Sequence, residues 1–382
     1  MSTQQQCNRR CNLTHAYHGG ALSDVRRLAY ALMYAVNRNC ALVSDWPEYR
    51  GTENNAATMT TSPELRRRCA ESGRGGLQCY FLPMSPCSRS ETVGTVKHFN
   101  LDKVFFMDEQ LRTIQLRTGL TSELLIMGQL LAWVTRPQPE LQEAIRLYGS
   151  QLGFDVPGVR HRRVALHVRK GDKHSLYNKH MRNHSWRVSS ESFDAWSRRV
   201  AADLGAEHAL YMTDSSLTMN FLADSHGADG FFQLAPAPRD CMPSYGAGAL
   251  GKHHVPAANL QKKLHMARMS AQMSIKAGNA SALCGPRYLV DDGIQLFAGV
   301  ALLAQCYAFV GTLISNVDSV VVELQGALRF PPTYFDVLND VHRACLSDER
   351  VWFGGVHAEI NMRALDKDRL AKGDGNFTAG DC

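Results

Sequence analysis

The chain has 382 residues and a net charge of +6, and 45% of its residues are hydrophobic and 20% charged. This composition is that of a soluble globular protein long enough for two domains, so disorder is not the expected state of the chain. The basic residues form no run of five or six, so no nucleic-acid partner is expected. No stretch of about 18 apolar residues occurs, so no transmembrane segment is expected in this chain, and residues 1–6 form no apolar signal region.

The first predicted helix follows a pair of glycines, Gly19 and Gly20. Ser23 can cap it, and apolar residues recur at helical spacing from Val25 onwards, which predicts one buried face. Two glycines before a helix can hold a phosphate on free N–H groups, although plain turn chemistry is the commoner reason for such a pair. A short strand at 41–43 is predicted next.

The first quarter of the chain is rich in cysteine. Residues 47–100 have weak periodicity and are predicted to be mostly loop, with short strands such as 80–82. No cysteine pair has zinc-site spacing with nearby histidines, so no metal site is expected. Disulfides are the better interpretation of the six cysteines here, Cys7, Cys11, Cys40, Cys69, Cys79 and Cys87. N-glycosylation sequons occur at Asn12, Asn183, Asn279 and Asn376. Both features favour a secretory compartment.

Two helices are predicted after the cysteine-rich region, at 122–134 and 140–152. Two prolines between them end the first helix, because proline cannot donate to a helix ladder. Residues 153–158 are the predicted linker. We therefore expect an N-terminal open-sheet α/β domain at 1–158 and a second domain at 159–382.

Strands alternate with helices in the second domain, which predicts a parallel sheet with crossover helices. The predicted strands are 164–168, 208–212, 230–234 and 307–311. The predicted helices are one capped by Ser190, one through Leu217 and Phe221, and those at 260–276, 294–304 and 317–324. Polar or charged loops follow three strands, at 169–173, 213–215 and 312–316. Because parallel strands end at one edge of a sheet, these loops should converge on a single cleft.

The charged loop after strand 164–168 is the main candidate site. Arg169 offers a planar fork of donors suited to a phosphate, and Lys170 and Lys173 add point charges around Gly171. A solvated basic turn after a core strand is the alternative, and the spacing alone does not decide between them.

Residues 167–173 read His-Val-Arg-Lys-Gly-Asp-Lys. They resemble the strand-loop motif His-Val-Arg-Arg-x-Asp-Lys of the α1,6-fucosyltransferase (core fucosyltransferase) family. Further matches follow in the family's order over about residues 7–357. They are the glycine-rich helix start at 19–24, 136–139, 152–154, 211–214, 303–305, 310–312 with Ser315, and 353–355. The family's N-terminal anchor, coiled coil and C-terminal SH3-like domain have no counterpart in this sequence.

The resemblance implies an inverting, metal-independent glycosyltransferase. Its fold would be GT-B-like, with two Rossmann-like α/β units around a cleft. The donor substrate would be GDP-fucose, with no separate cofactor. The acceptor would be a glycan or glycoprotein hydroxyl, with α1,6 transfer to the N-glycan core GlcNAc as one candidate. The compartment implied is the Golgi lumen, and the oligomeric state stays open.

The resemblance also implies a role for each motif residue. His167 would face the guanine, and Arg169 would bind the β-phosphate and stabilise the departing group. Lys170 and Lys173 would support Arg169, and Asp172 would orient Lys173 or the acceptor. The remaining donor-binding positions are Gly19, Gly20, Asp214, Ser315 and Asn316.

Three acidic residues of the family pattern are replaced in this chain, by Tyr177, Ser215 and Gly299. The first of these positions holds the family's general base, whose loss would lower the rate by roughly 10²–10⁴. The base therefore stays open among Asp172, His174 and Glu191. Asp291 or Asp292 are the candidates to replace the acid at position 299.

These replacements keep other functions open. One alternative is a catalytically silent nucleotide-sugar or glycan-binding protein. Others are a protein O-fucosyltransferase and a chitin-oligosaccharide fucosyltransferase, which share the arginine-bearing motif.

Overall fold

The structure is a computed structural model of the chain. The residues it describes are 7, 10–13, 21–44, 60, 62–87, 95–99, 107–120, 122–155, 163–169, 190–213, 218, 221–222, 232–234, 289, 291–311, 315–328, 333–336 and 341–344. They form a mixed α/β protein with parallel sheets, as the alternation of helices and strands predicts. The chain divides into two compact units. Unit 1 comprises residues 1–142, 319–332 and 345–382, and unit 2 comprises 143–318 and 333–344. The domain boundary expected at residue 158 stays a prediction.

Unit 1 contains a three-stranded parallel sheet in the order β2-β1-β3. The strands are β1 Arg10–Leu13, β2 Ala41–Ser44 and β3 Thr95–Phe99. Helix α1, Ala21–Asn37, connects β1 to β2 and buries the predicted apolar face, including Val25 and Leu32. The helix starts two residues before Ser23, so Ser23 lies in the first turn and does not cap it.

The region at 62–71 was expected to be loop, and this expectation is wrong. It forms helix α2, Pro63–Glu71. Ser62 caps it by accepting a hydrogen bond from Leu65 N at 3.3 Å, and Pro63 occupies the first turn, where its missing N–H costs nothing. The helix-start signals Ser62 and Pro63 therefore indicate the structure of this segment better than its polar composition does.

Three longer helices follow in the chain: α3 Met107–Thr118, α4 Glu123–Val134 and α5 Pro139–Gln151. The last two match the predicted helices. Ser122 caps α4, and Pro139 begins α5. The strand expected at 80–82 is reduced to a single bridge between Phe81 and Pro137.

Three disulfides connect the six cysteines that the sequence groups together, Cys7–Cys87, Cys11–Cys40 and Cys69–Cys79. The longest loop that they close joins residues 80 positions apart. Cross-links of this kind stabilise the fold mainly by restricting the unfolded chain. They also fit a protein of an oxidising, secreted or lumenal compartment.

Unit 2 contains a six-stranded sheet in the order β6-β5-β4-β7-β8-β9. Its strands are β4 Arg163–Val168, β5 His208–Thr213, β6 Phe232–Leu234, β7 Ala308–Gly311, β8 Thr333–Asp336 and β9 Val341–Ala344. All neighbours are parallel except β8 and β9. Every residue of β4 is buried, as expected of a central strand with both faces covered.

Three further helices complete the described elements, α6 Ser190–Leu204, α7 Asp292–Gln305 and α8 Asn316–Leu328. Alpha6 covers β4 through an apolar cluster that includes Phe193 and Val200. Asp291 caps α7, and most of α7 is buried. The predicted helix at 260–276 lies outside the described residues, and the one through Leu217 and Phe221 lies largely outside them. Within the described ranges, no helix is long and apolar enough to cross a bilayer.

Candidate functional site

The candidate site in unit 2 lies where β5, β4 and β7 end. Leu166 of β4 is in register with Val310 of β7, and Val168 is in register with Thr213 of β5. The Thr213 hydroxyl donates a hydrogen bond to the Val168 carbonyl oxygen at 2.7 Å, which ties two of these strand ends together. The three strand ends that precede the predicted loops are therefore neighbours at one sheet edge.

Strand β4 is also the point at which the order of the strands along the sheet reverses. From β4 the chain extends outward to β5 and β6, then returns to the other side of β4 to form β7 and β8. In open parallel sheets, the crevice for a ligand lies outside the carboxyl ends of the strands at such a reversal. The residue that directly follows β4 is Arg169, which is half-buried.

The side chains of β4 alternate between the two faces of the sheet, and His167 lies on the face opposite three apolar residues of the strand. Val164, Leu166 and Val168 pack into the cluster shared with α6. Because successive side chains point to opposite faces of a strand, His167 lies on the other face. It is only 2% exposed. A polar ring buried to this extent needs a hydrogen-bond partner.

That partner is Asp318, in the first turn of α8. His167 Nδ1 forms a hydrogen bond with Asp318 Oδ1, and the carboxylate side chain has no exposed surface. The amino-terminal end of a helix favours a negative charge, which suits a carboxylate at this position. The pair connects the end of β4 with the start of α8, so the positions of His167 and the 315–316 segment are coupled within unit 2.

Asp318 is the residue that sequence reasoning missed. The available signal was the pattern Ser-x-x-Asp at 315–318, which is typical of a helix start. That pattern predicts a local cap and gives no indication of a partner 151 residues away. Ser315 is 4% exposed, and its Oγ accepts a hydrogen bond from Val317 N at 3.2 Å. Asn316, the first residue of α8, is half-buried.

Gly311 at the end of β7 makes room for this arrangement. A Cβ built on it would lie 3.2 Å from Asp318 Oδ2 and 2.6 Å from the Phe309 ring. Any side chain at this position would therefore push against the ring and the carboxylate that holds His167. This accounts physically for the glycine in the motif at 310–312.

Several predicted site residues lie outside the described residues. They are Gly19, Gly20, Lys170, Asp172, Lys173 and Asp214, together with Tyr177, His174 and Ser215. Their proposed roles stay predictions. Of the described site residues, the structure places His167 and Arg169 at the end of β4, and Ser315 and Asn316 at the start of α8.

The candidates for the missing acidic groups differ in their surroundings. Asp291 is fully buried, and its Oδ1 accepts hydrogen bonds from Gly293 N at 3.0 Å and Ile294 N at 3.1 Å. It therefore serves as the cap of α7. Gly299 is buried within the same helix. Glu191 is exposed in the first turn of α6.

A second buried carboxylate on α8, Glu323, belongs to unit 1. Arg26 of α1 donates to both of its oxygens, from Nη2 at 2.7 Å and from Nε at 3.2 Å. Burial opposes the charge on Arg26, but Glu323 and Tyr30 outweigh burial and hold the pKa of Arg26 above its usual value. Burial raises the pKa of Tyr30, although Arg26 opposes this shift. The two buried charges of this pair compensate each other.

A shallow surface cavity of about 410 Å³ also occurs in unit 1, between α2 and Glu140. Its arginines are paired with glutamates, Arg67 with Glu71 and Arg68 with Glu64. It therefore offers no unbalanced charge for an anionic ligand. In the part of the chain that the structure describes, no group of three or more metal-ligating side chains is placed to hold an ion.

Comparison with known proteins adds no family assignment: no protein-family model and no curated protein sequence matches this chain.

Proposed function

We propose that the chain is an inverting, metal-independent glycosyltransferase that moves fucose from GDP-fucose to a glycan hydroxyl. The observation that carries the proposal is the position of Arg169. It follows the central strand β4 directly, at the reversal point beside β7, and the hydrogen bond from His167 to Asp318 brings the capped start of α8 to the same place. A guanidinium beside a helix start is suited to a diphosphate.

The order of the strands supports nucleotide binding. Counted from β4, the order of the sheet in unit 2 is 3-2-1-4-5-6, with the sixth strand antiparallel. This is the order of Rossmann dinucleotide-binding sheets, which bind their ligand at the reversal point. The proposal includes two Rossmann-like units around a cleft, as in GT-B-like glycosyltransferases.

In the proposed reaction, an acceptor hydroxyl attacks the anomeric carbon of fucose. The new C–O bond forms as the bond to the β-phosphate oxygen breaks, GDP leaves, and the hydroxyl proton passes to a general base. Arg169 binds the departing phosphate, where charge grows in the transition state. Lys170, Lys173, and Ser315 with Asn316 assist at the diphosphate. Glu191 is the described candidate for the base.

Acceptor and compartment are further parts of the proposal. The three disulfides fit a lumenal or secreted protein, and the Golgi lumen is the compartment we propose. The 6-hydroxyl of the innermost GlcNAc of an N-glycan is the first acceptor to test.

The test is transfer of labelled fucose from GDP-fucose to N-glycan acceptors. The wild type should form labelled product and Arg169→Ala should form none. Arg198→Ala is a matched control, because Arg198 lies on the surface of α6 in an ion pair with Asp194 and should retain wild-type activity. A wild type that binds GDP yet transfers fucose neither to glycans nor to water would contradict the enzymatic assignment.

A second candidate, a catalytically silent nucleotide-sugar or glycan-binding protein, is favoured by one observation. Gly299 lies inside the buried helix α7, so that position carries no carboxylate. In this case calorimetry would show GDP-fucose binding without turnover. Transfer to a folded protein domain or to a chitin oligosaccharide would instead indicate an O-fucosyltransferase-like or chitin-modifying enzyme.

A further inference from the structure

The glycosylation sequon at Asn12 lies where an attached glycan is not expected. N-linked glycans are bulky, and the asparagines that carry them lie in surface loops. The sequon here is Asn12-Leu13-Thr14, and its first two residues belong to β1. Strand β1 is the middle strand of the three-stranded sheet in unit 1. The sequence signal and the fold therefore disagree at this position.

The backbone of β1 is paired on both sides at Asn12. Asn12 is in register with Val43 of β2 and with His98 of β3. Neighbouring strands in a sheet are only about 4.8 Å apart. A glycosylating enzyme has to enclose the three residues of the sequon to reach the asparagine, and this spacing leaves no room for an enzyme between the strands. Modification of Asn12 therefore requires that β1 first leaves the sheet.

The face of the sheet to which Asn12 belongs is covered on β2. Residues in register on neighbouring strands share a face, so Asn12 shares its face with Val43. Val43 is 5% exposed and packs together with Ala41, Cys87 and Cys7. The last two residues form a disulfide with each other. This disulfide therefore closes the sheet next to the sequon.

The residue before Asn12 fixes the register of β1. Cys11 is 0% exposed, and it forms a disulfide with Cys40. Leu42, the register partner of Cys11, is 1% exposed, so the second face of the sheet is buried as well. A shift of β1 by one residue would exchange its two faces and move Cys11 away from Cys40. Such a shift cannot expose Asn12 while this disulfide is intact.

We propose that Asn12 is an N-glycosylation site of the unfolded chain, and that formation of the sheet in unit 1 closes it. In the transfer, the Asn12 amide nitrogen forms a bond to the anomeric carbon of a lipid-linked oligosaccharide. The bond from that carbon to the lipid diphosphate breaks, the diphosphate leaves, and the amide proton passes to a base of the enzyme. A glycan at Asn12 would in turn keep β1 out of the sheet, so glycosylation and folding exclude each other. The inference rests on the lumenal compartment of the proposed function and is independent of fucosyl transfer.

The first arm of the test uses the wild-type full chain in two states, either oxidised and folded, or reduced, alkylated and unfolded. Each is incubated with purified oligosaccharyltransferase and a lipid-linked oligosaccharide, and glycopeptide mass spectrometry measures the fraction of Asn12 that carries a glycan. The unfolded chain should be modified at Asn12 roughly 10-fold faster or more, because the folded chain reacts only while β1 is open. Equal rates would overturn the proposal, and so would an unfolded chain that stays unmodified at Asn12.

The second arm tests the disulfide that covers the face of Asn12. Folded Cys7→Ser with Cys87→Ser should be modified at Asn12 roughly 10-fold faster than the folded wild type, because the disulfide restricts opening of the chain. Cys69→Ser with Cys79→Ser is the matched control, and its effect should be smaller, because that disulfide closes a shorter loop that begins in α2.

An equal effect of the two pairs of substitutions would overturn the role given to the Cys7–Cys87 disulfide. The first arm decides the proposal even where a variant does not fold, because it uses no substitution. A folded wild type that binds no GDP-fucose would refute the proposed function and leave the results of both arms unchanged.

Discussion

The buried ion pair between Arg26 and Glu323 leads to the sharpest stability prediction. Glu323 is fully buried and Arg26 is 12% exposed at its side chain, and two hydrogen bonds join them. Glu323→Gln keeps the volume but removes the charge, which leaves a buried guanidinium without a counter-ion. Breaking one partner of such a pair costs about 3–5 kcal/mol. The free energy of unfolding should fall by that amount.

Replacing both partners gives the opposite expectation. In Arg26→Met with Glu323→Leu, no buried charge remains, and apolar packing takes the place of the pair. Such replacements are often neutral or stabilising by about 1–4 kcal/mol. The double variant should therefore be more stable than Glu323→Gln alone, and the two effects should be strongly non-additive.

Urea denaturation followed by circular dichroism measures these differences. Glu71→Gln is the control, because Glu71 forms an exposed pair with Arg67 at 59% and 64% exposure. Its effect should stay below about 0.5 kcal/mol. If Glu323→Gln destabilised the protein no more than Glu71→Gln, the burial and pairing of Glu323 would be wrong.

Three further predictions concern close packing and pH. Gly128→Ala should destabilise unit 1 by about 1–3 kcal/mol in urea titrations, because its Cβ would lie 2.9 Å from a backbone nitrogen of α8; a neutral effect would contradict that packing. Gly311→Ala should weaken GDP binding measured by calorimetry, because the added Cβ would displace the carboxylate that holds His167. An unchanged affinity for GDP would refute this. Burial alone would raise the pKa of Glu140, but Arg74 outweighs it and holds that pKa below its usual value. The stability from this pair is therefore present at neutral pH and is lost as pH falls through the lowered pKa. Glu140→Gln should make the loss of stability below pH ~5 less steep than in the wild type, and an unchanged slope would contradict the pairing.

Periodicity in the sequence predicts the elements that bury one regular face. Helices α1, α4 and α5 and strands β4, β5 and β7 all appear close to their expected positions, because each carries an apolar pattern of its own. Helix α2 was missed because its start signal, Ser62 followed by Pro63, lies in a polar segment. Strands β1, β3, β8 and β9 were also missed, because polar or charged residues interrupt the apolar run in each of these short segments.

Pairings between distant residues could not be predicted from the sequence, for a different reason. Six cysteines allow 15 disulfide connectivities, and the spacing selects none of them. In the same way, nothing near His167 in the sequence indicates Asp318, because the contact depends on the order of the strands in the sheet. Arg169, at the end of β4, was singled out from the local motif at 167–173. Asp318, which holds His167 by a hydrogen bond, could be identified only from the fold.

Calorimetric titration of the wild-type chain with GDP-fucose is the most direct test of the central claim, that the edge formed by β4, β7 and α8 binds a guanine nucleotide sugar. Saturable one-site binding is expected, and Arg169→Lys should weaken it by roughly 30-fold or more, because a lysine cannot make the bidentate phosphate contact. Arg198→Lys should bind as the wild type does. Absence of heat with GDP-fucose and with GDP would contradict the claim, and so would equal affinity in the wild type and Arg169→Lys.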